Sequence, residues 1–183
     1  MTKSSNSQFL KWLKLLILTV ITLPSYAANY YWVGGSGAWT SPTTHWATTS
    51  GGTTYYSIVT SQLDVVIFDA NSFSASGQEV TMNVEGFCSE FRCKDVRSGV
   101  KFTATKSLNA YNGFSIDSNL IYNQSGGNLN VLSGNYSIGK NTSFTMSGNV
   151  TITLGNFTVL TGATYTLNSG TLTITNGNVN IER

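Results

Sequence analysis

The fold is decided by residues 128–181, which read NLNVLSGNYSIGKNTSFTMSGNVTITLGNFTVLTGATYTLNSGTLTITNGNVNI. Three Gly-Asn pairs recur in this stretch at almost equal intervals, the second interval being one position longer than the first. They are Gly134-Asn135, Gly155-Asn156 and Gly177-Asn178. Apolar residues keep the same distances from each pair and come as i, i+2 doublets, such as Tyr136 with Ile138. A period of two is typical of a β-strand with one apolar face, so each doublet predicts a short strand.

Each complete repeat contains three such doublets, separated by turns rich in Gly, Asn and Ser. Three short strands per repeat describe one coil of a β-solenoid. One coil cannot cover its own apolar face, whereas stacked coils place equivalent residues about 4.8 Å apart and pair their strands. A β-sandwich or meander has no reason to keep a fixed spacing. The sequence therefore predicts an all-β parallel β-helix, or β-solenoid, with coils of about 21 residues.

The Gly-Asn pairs have a structural role in this interpretation. Gly and Asn both tolerate a positive φ, so each pair is suited to turn the chain at a corner between strands. Stacking would then bring Asn135, Asn156 and Asn178 into a hydrogen-bonded column along the solenoid axis, as in other side-chain amide ladders.

The first residues resemble an export signal. Lys3, Lys11 and Lys14 accompany an apolar run at 13–23, and the sequence Ser-Tyr-Ala that ends at Ala27 fits a signal-peptidase site. We therefore predict a signal peptide at 1–27, a secreted or cell-surface location, and no membrane span after cleavage. Without these three lysines, ten basic and eight acidic residues become seven and eight, a net charge of −1. This balance gives no indication of a nucleic-acid partner.

Residues 28–78 are rich in aromatic residues and glycine, and they include Trp32, Trp39 and Trp46. A solenoid exposes its core at each end, so we predict that this segment is an irregular aromatic cap. The alternative is a carbohydrate-binding module, in which the three tryptophans form a platform for sugar rings. The coils follow at 79–183 and are regular from 128.

Two cysteines, Cys88 and Cys93, leave two interpretations open. Export permits a disulfide between them. In an unbroken strand a five-residue offset points the side chains to opposite faces, so pairing requires a turn or bulge. The other arrangement has one thiol buried and one near the surface.

Some parallel β-helices are polysaccharide lyases or hydrolases, and this is the third interpretation. Such enzymes need converging carboxylates or basic groups. From 118 to 181 the chain has no Asp, Glu, Arg or His, and its one charged residue is Lys140. We therefore expect no enzymatic activity, no cofactor and no metal site.

Several strings in the first half carry a resemblance. They are WVGGSGAW at 32–39, HWA at 45–47, DVVIFDANSF at 64–73 and GQEVT at 77–81. This pattern resembles the N-terminal module of large secreted, repetitive, adhesin-like surface proteins of Bacteroidetes. The resemblance implies a surface location and a β-helical architecture. For a module at the cell surface we predict glycans or other surface proteins as partners.

The last coil breaks off at 181–183, before a third strand. Unpaired strand edges invite another chain. We therefore expect either end-on self-association through this coil or a longer natural array. Together these observations predict a secreted, non-enzymatic β-solenoid that acts as a surface module.

Overall fold

Alternating apolar residues form short strands along the whole described chain. The structure, a computed structural model, describes residues 27–182, so the predicted signal peptide lies outside it except for Ala27. In chain order the elements are β1 (Asn29–Trp32), β2 (Gly37–Ala38), α1 (Pro42–His45), β3 (Trp46–Ala47), β4 (Val65–Phe68), β5 (Glu79–Met82), β6 (Gly86–Cys93), β7 (Lys101–Ala104), β8 (Leu108–Ser118), β9 (Ile121–Gln124), β10 (Leu129–Val131), β11 (Tyr136–Lys140), β12 (Ser143–Met146), β13 (Val150–Leu154), β14 (Phe157–Val159), β15 (Thr164–Leu167), β16 (Leu172–Asn176) and β17 (Val179–Ile181).

The strands stack into a parallel β-solenoid with three faces. The first face runs β6-β8-β10-β13-β16, and the second runs β1-β4-β6-β8-β11-β14-β17. The third runs β2-β5-β7-β9-β12-β15. β6 and β8 belong to two faces because they continue around the corner, whereas later coils split there into two strands. The predicted fold class is confirmed.

The register fixes the length of a coil. On the first face Gly86 pairs with Leu108, Leu108 with Leu129, and Leu129 with Val150, which pairs with Leu172. Each step is 21 or 22 residues, the separation that also joins Asn128 to Asn149 and Asn149 to Thr171. The predicted coil of about 21 residues is therefore confirmed, and it extends back beyond 128 to at least Gly86.

The segment 28–78 is more than a cap, since it supplies strands to the solenoid. β1 pairs in parallel with β4, β4 with β6, and β2 with β5. The sequence-based boundary between 78 and 79 thus does not interrupt either sheet. The end itself is closed by β3, which pairs antiparallel with β1 through Trp32 and Trp46.

Aromatic rings fill the core in two columns. Beneath the second face the rings of one column lie 4.8–5.3 Å apart: Phe68, Phe91, Phe114, Tyr136 and Phe157. Beneath the third face the rings of the other column lie 4.5–5.2 Å apart: Phe102, Tyr122, Phe144 and Tyr165. Rings of different columns meet edge to face, which is a favourable aromatic geometry. The repeat in the sequence is thus a repeat of stacked rings.

Buried tyrosines predict a loss of stability in alkali. Burial raises the pKa of Tyr165 to about 12 and raises those of Tyr122 and Tyr136 well above the ordinary value. Unfolded tyrosine ionises near pH 10, so we expect the contribution of these tyrosines to stability to be constant below about pH 10 and to be lost progressively above it. Urea unfolding at pH 8, 10 and 11 measures this. The Tyr136→Phe variant lacks one of these buried hydroxyls, which has no hydrogen-bond partner. Its stability should therefore fall less between pH 8 and pH 11 than that of the wild type.

Candidate functional site

The three predicted platform tryptophans are buried at the N-terminal end of the core. Trp32, Trp39 and Trp46 are at most 1% exposed. The ring of Trp46 lies 4.9 Å from each of the other two, edge to face. The indole N–H groups of two of them donate to backbone carbonyls, Trp32 to Gly35 at 2.7 Å and Trp46 to Trp39 at 2.8 Å. The polar atoms of these two side chains are thus satisfied inside the protein.

This geometry leaves no indole face for a sugar ring. Even the outer face of Trp32 is covered, because the His45 imidazole stacks on it at 4.6 Å. His45 Nδ1 lies 2.7 Å from the carbonyl of Val33. Since a carbonyl can only accept, Nδ1 carries the proton. These buried indoles lie at the N-terminal end of the core, and a stacking platform would require the core to open.

A polar cleft of about 450 Å³ lies on the surface of segment 28–78. Its walls are Gly34, Gly35, Ala70, Asn71, Ser72, Phe73, Ser74 and Arg97. Sequence reasoning did not single out this surface, since its residues come from three separate turns. Phe73 is only 3% exposed, so the cleft offers backbone groups, hydroxyls and one guanidinium rather than a stacking surface. Small polar or anionic groups suit such a lining better than sugar rings do.

The Gly-Asn pairs lie at the corner between the first and second faces, as predicted. Asn135 Oδ1 accepts the backbone N–H of Asn156 at 3.2 Å, and Asn156 Oδ1 accepts that of Asn178 at 2.9 Å. The predicted column exists, but each side chain bonds to backbone of the next coil and not to another amide. Positive φ values occur at Gly134 and Gly155 and at none of the three asparagines. At these two pairs the glycine, and not the asparagine, therefore supplies the positive-φ residue of the turn.

A second column of the same kind lies at the corner between the third and first faces. Asn128 Oδ1 accepts the N–H of Asn149 at 3.1 Å. Asn149 Oδ1 accepts both the N–H and the hydroxyl of Thr171, at 3.0 and 3.2 Å. The signal for it is present in the sequence as Gly127-Asn128, Gly148-Asn149 and Gly170-Thr171. These polar columns are structural, because they satisfy backbone N–H groups that the strands leave unpaired at the turns.

Loss of one asparagine should therefore weaken the stack. We expect Asn149→Ala to lower the free energy of unfolding by about 1–2 kcal/mol, since the N–H of Thr171 loses its acceptor. Asn149→Asp keeps an acceptor oxygen in the same place and is the matched control. Urea unfolding followed by circular dichroism measures both. Equal losses in the two variants would contradict the acceptor role.

The two cysteines are buried free thiols. Cys88 and Cys93 are both 0% exposed, so the arrangement with one surface thiol is wrong, and no disulfide joins them. A register shift between Cys88 and Glu90 turns both side chains inward despite the odd offset. Burial, followed by nearby carboxylates, raises the pKa of each thiol. The thiols therefore stay protonated and poorly nucleophilic at neutral pH.

This predicts a clear labelling pattern. Native protein should take up almost no iodoacetamide at pH 8, whereas protein in urea without reductant should gain two adducts. Intact mass spectrometry counts the adducts. A disulfide would instead show no adduct in urea until a reductant is added.

Charged groups are sparse and scattered on the described surface. The ion pair found there joins Arg92 to Glu90 on β6. Within residues 27–182 no three His, Cys, Asp or Glu side chains come close enough to hold a metal ion together. The outward residues of the regular coils form uncharged columns instead. On the third face they align as Thr81, Thr103, Asn123, Thr145 and Thr166.

The comparisons with known proteins add no relative. No known family model, curated protein or solved structure matches the chain. In the part that the structure describes, no helix has the length and apolar character needed to cross a membrane. The site residues must therefore be interpreted from their own geometry.

Proposed function

We propose that the chain is an exported, non-enzymatic β-solenoid that serves as an adhesin-like structural module at the cell surface. The observation that carries this proposal is the regular stack itself. From β8 to β14 its inward side is a nearly continuous aliphatic and aromatic core, and its outward side carries mainly hydroxyl and amide groups. Ser115, Ser137, Thr158 and Asn180 form one such outward column.

Such faces suit a scaffold better than a catalyst. Acid–base chemistry needs titratable groups that converge on one substrate. The regular coils instead repeat hydroxyls and amides, which hydrate the sheet and favour β-structure. The export part of the proposal is supported by the predicted signal peptide at 1–27 and by the resemblance of roughly 30–120 to secreted surface modules.

Cell fractionation tests the proposal. The full chain, expressed in a Gram-negative host with an epitope tag after Arg183, should leave the cytoplasm. The matched control lacks residues 2–27 and should remain inside the cell. Protease added to intact cells then distinguishes the surface from the periplasm. Full-length chain retained in the cytoplasm, at the level of the control, would overturn the export proposal.

Glycan binding through the tryptophans remains the competing function, and Trp39→Ala separates the two. Because Trp39 is buried, the variant should lose several kcal/mol of stability, roughly 3–5, whether or not a glycan is present. A variant that keeps its melting temperature but loses binding on a glycan array would instead support the platform. Thermal unfolding and array binding are measured on the same preparation.

The last coil supplies the interaction surface in this proposal. β15, β16 and β17 pair on one side only within the described residues, and Val179 and Ile181 are 54% and 66% exposed. We propose that in the 183-residue chain this edge pairs with the same edge of a second copy. Light scattering should then show dimers that dissociate on dilution, and Ile181→Lys should shift the balance to monomers. A monomer at all concentrations contradicts this part.

A further inference from the structure

Ala28 is tied into the fold by both of its backbone polar groups. Its N–H donates to Asp64 Oδ1 at 3.1 Å, and its carbonyl accepts the N–H of Val65 at 2.8 Å. The parallel pairing of β1 with β4 begins at the next residue, where Asn29 lies opposite Val65. The methyl group of Ala28 also packs against the hydrophobic core. Ala28 is therefore fixed to the solenoid by hydrogen bonds and by packing.

The acceptor of that N–H is an unusual residue for this protein. Asp64 is 6% exposed and directly precedes β4. Its Oδ2 accepts the N–H of Ser61 at 2.8 Å and the hydroxyl of Ser61 at 2.7 Å. Within residues 27–182 no cationic side chain lies at ion-pair distance from it. A buried carboxylate that has hydrogen bonds but no counter-charge carries a large desolvation cost.

The negative charge of Asp64 affects the pKa values of two neighbouring tyrosines. Burial, and then the negative charge of Asp64, raises the pKa of Tyr30 to about 12. The same two causes, in the same order, raise the pKa of Tyr56. The two rings stack on one another at 3.8 Å. The negative charge of Asp64 thus acts on both of these side chains, and a positive partner at the same place would be stabilised by it.

We propose that Asp64 is the docking site for the α-ammonium group of Ala28, which a signal peptidase creates by hydrolysing the Ala27–Ala28 peptide bond. This inference rests on the proposed export. Water supplies the atoms: its hydroxyl completes the carboxyl group of Ala27, which leaves with residues 1–27. Its proton goes to the Ala28 nitrogen, which takes up a further proton from solvent and becomes a cation.

Cleavage changes the donor of the hydrogen bond to Asp64 from a neutral group to a charged one. In the precursor an amide N–H donates to the carboxylate, whereas in the product an ammonium group occupies the same position. A charge-assisted hydrogen bond is shorter and about twice as strong as a neutral one. The folded state of the processed chain gains the counter-charge that the precursor lacks. Removal of the signal is thereby coupled to the closing of the N-terminal end.

The first test determines where the exported product begins. The full chain is expressed in a Gram-negative host, and the product outside the cytoplasm is analysed by N-terminal sequencing and intact mass. We expect Ala28 as the first residue. An exported product that begins elsewhere overturns the inference and leaves the export proposal standing. A chain that stays unprocessed in the cytoplasm overturns both.

The second test measures the α-amine directly. The carboxylate favours the charged amine and so raises the pKa of the α-amine, which lowers its reactivity toward an acylating reagent. Relative to exposed Lys140 in the same molecule, acylation of Ala28 should be at least about tenfold slower in native protein than in urea, since one unit of pKa changes the neutral fraction tenfold. Peptide mass spectrometry quantifies both sites.

Three variants assign the effect to the charge. Asp64→Asn should restore most of the lost reactivity. Asp95→Asn removes the same charge at an exposed position and should leave the protection unchanged. Ser61→Ala loosens the turn around Asp64 but keeps the carboxylate, so it should also stay protected. If Asp64→Asn does not fold, the wild-type comparison between native and urea conditions still decides. An unprotected amine in the wild type, or equal protection in Asp64→Asn, overturns the docking site.

Discussion

Gly155→Ala should destabilise the protein by about 3–5 kcal/mol, which is enough to unfold many domains of this size. Gly155 has a φ of +146°, a value that L-residues rarely adopt. A Cβ there would also overlap the carbonyl oxygen of Gly134 in the preceding coil. Because Gly177 stands in the same relation to Gly155, relief of the clash would shift two interfaces at once. Urea unfolding gives the free energy and the m-value.

Gly77→Ala is the matched control for this prediction. Gly77 also has a positive φ, +77°, but an added Cβ would meet nothing within 4 Å. The stability that Gly77→Ala loses should therefore reflect backbone strain alone, about 1–2 kcal/mol. Similar losses in the two variants would show that close packing of the corners contributes little.

Phe144→Ala should be comparably destabilising, by about 3–5 kcal/mol. Its ring is fully buried and stacks between Tyr122 at 4.5 Å and Tyr165 at 5.2 Å. Truncation removes apolar contact and also interrupts a ring column, whose pairs contribute about 0.5–1.5 kcal/mol each. Phe144→Leu keeps most of the volume and should lose roughly half as much. Differential scanning calorimetry measures the series.

Thr145→Ala provides the control on the other side of the same strand. Thr145 points outward between Asn123 and Thr166, so its loss should change stability by less than about 1 kcal/mol. If Phe144→Ala and Thr145→Ala were equally mild, the ring columns would not be the main source of stability.

The repeat made the fold predictable from sequence, because the same apolar doublets must lie above one another in every coil. The first coils were harder to recognise. β6 and β8 run through a corner without a Gly-Asn pair, and one extra residue in β8 between Ala110 and Gly113 shifts the register there. The corner between the second and third faces was also difficult to recognise from sequence. There the positive-φ position changes identity from coil to coil: Gly77, Gly99, Asn119, Asn141 and Gly162.

The N-terminal sites were predictable in part only. Spacing alone could not show whether Trp46 faces the core or the solvent, since this depends on β3 turning back antiparallel to β1. The contact between Ala28 and Asp64 joins two distant positions of the chain, and no repeat indicates it. The sequence repeat predicts the strands and turns that recur in every coil. A single contact between distant turns can be recognised only in the folded structure.

The constant register has a consequence for how this protein can change length. The partner of each regular strand lies one coil away, so removal of residues 134–154 would delete a whole coil. The corner at Gly134 would be replaced by the corner at Gly155, and β14 would meet β8 as β11 does now. Insertions and deletions of this size preserve the strand pairing and the ring stacking between coils. The loss of half a coil would disrupt almost all of these contacts. The coil is therefore the natural unit in which such a chain would grow or shrink during evolution.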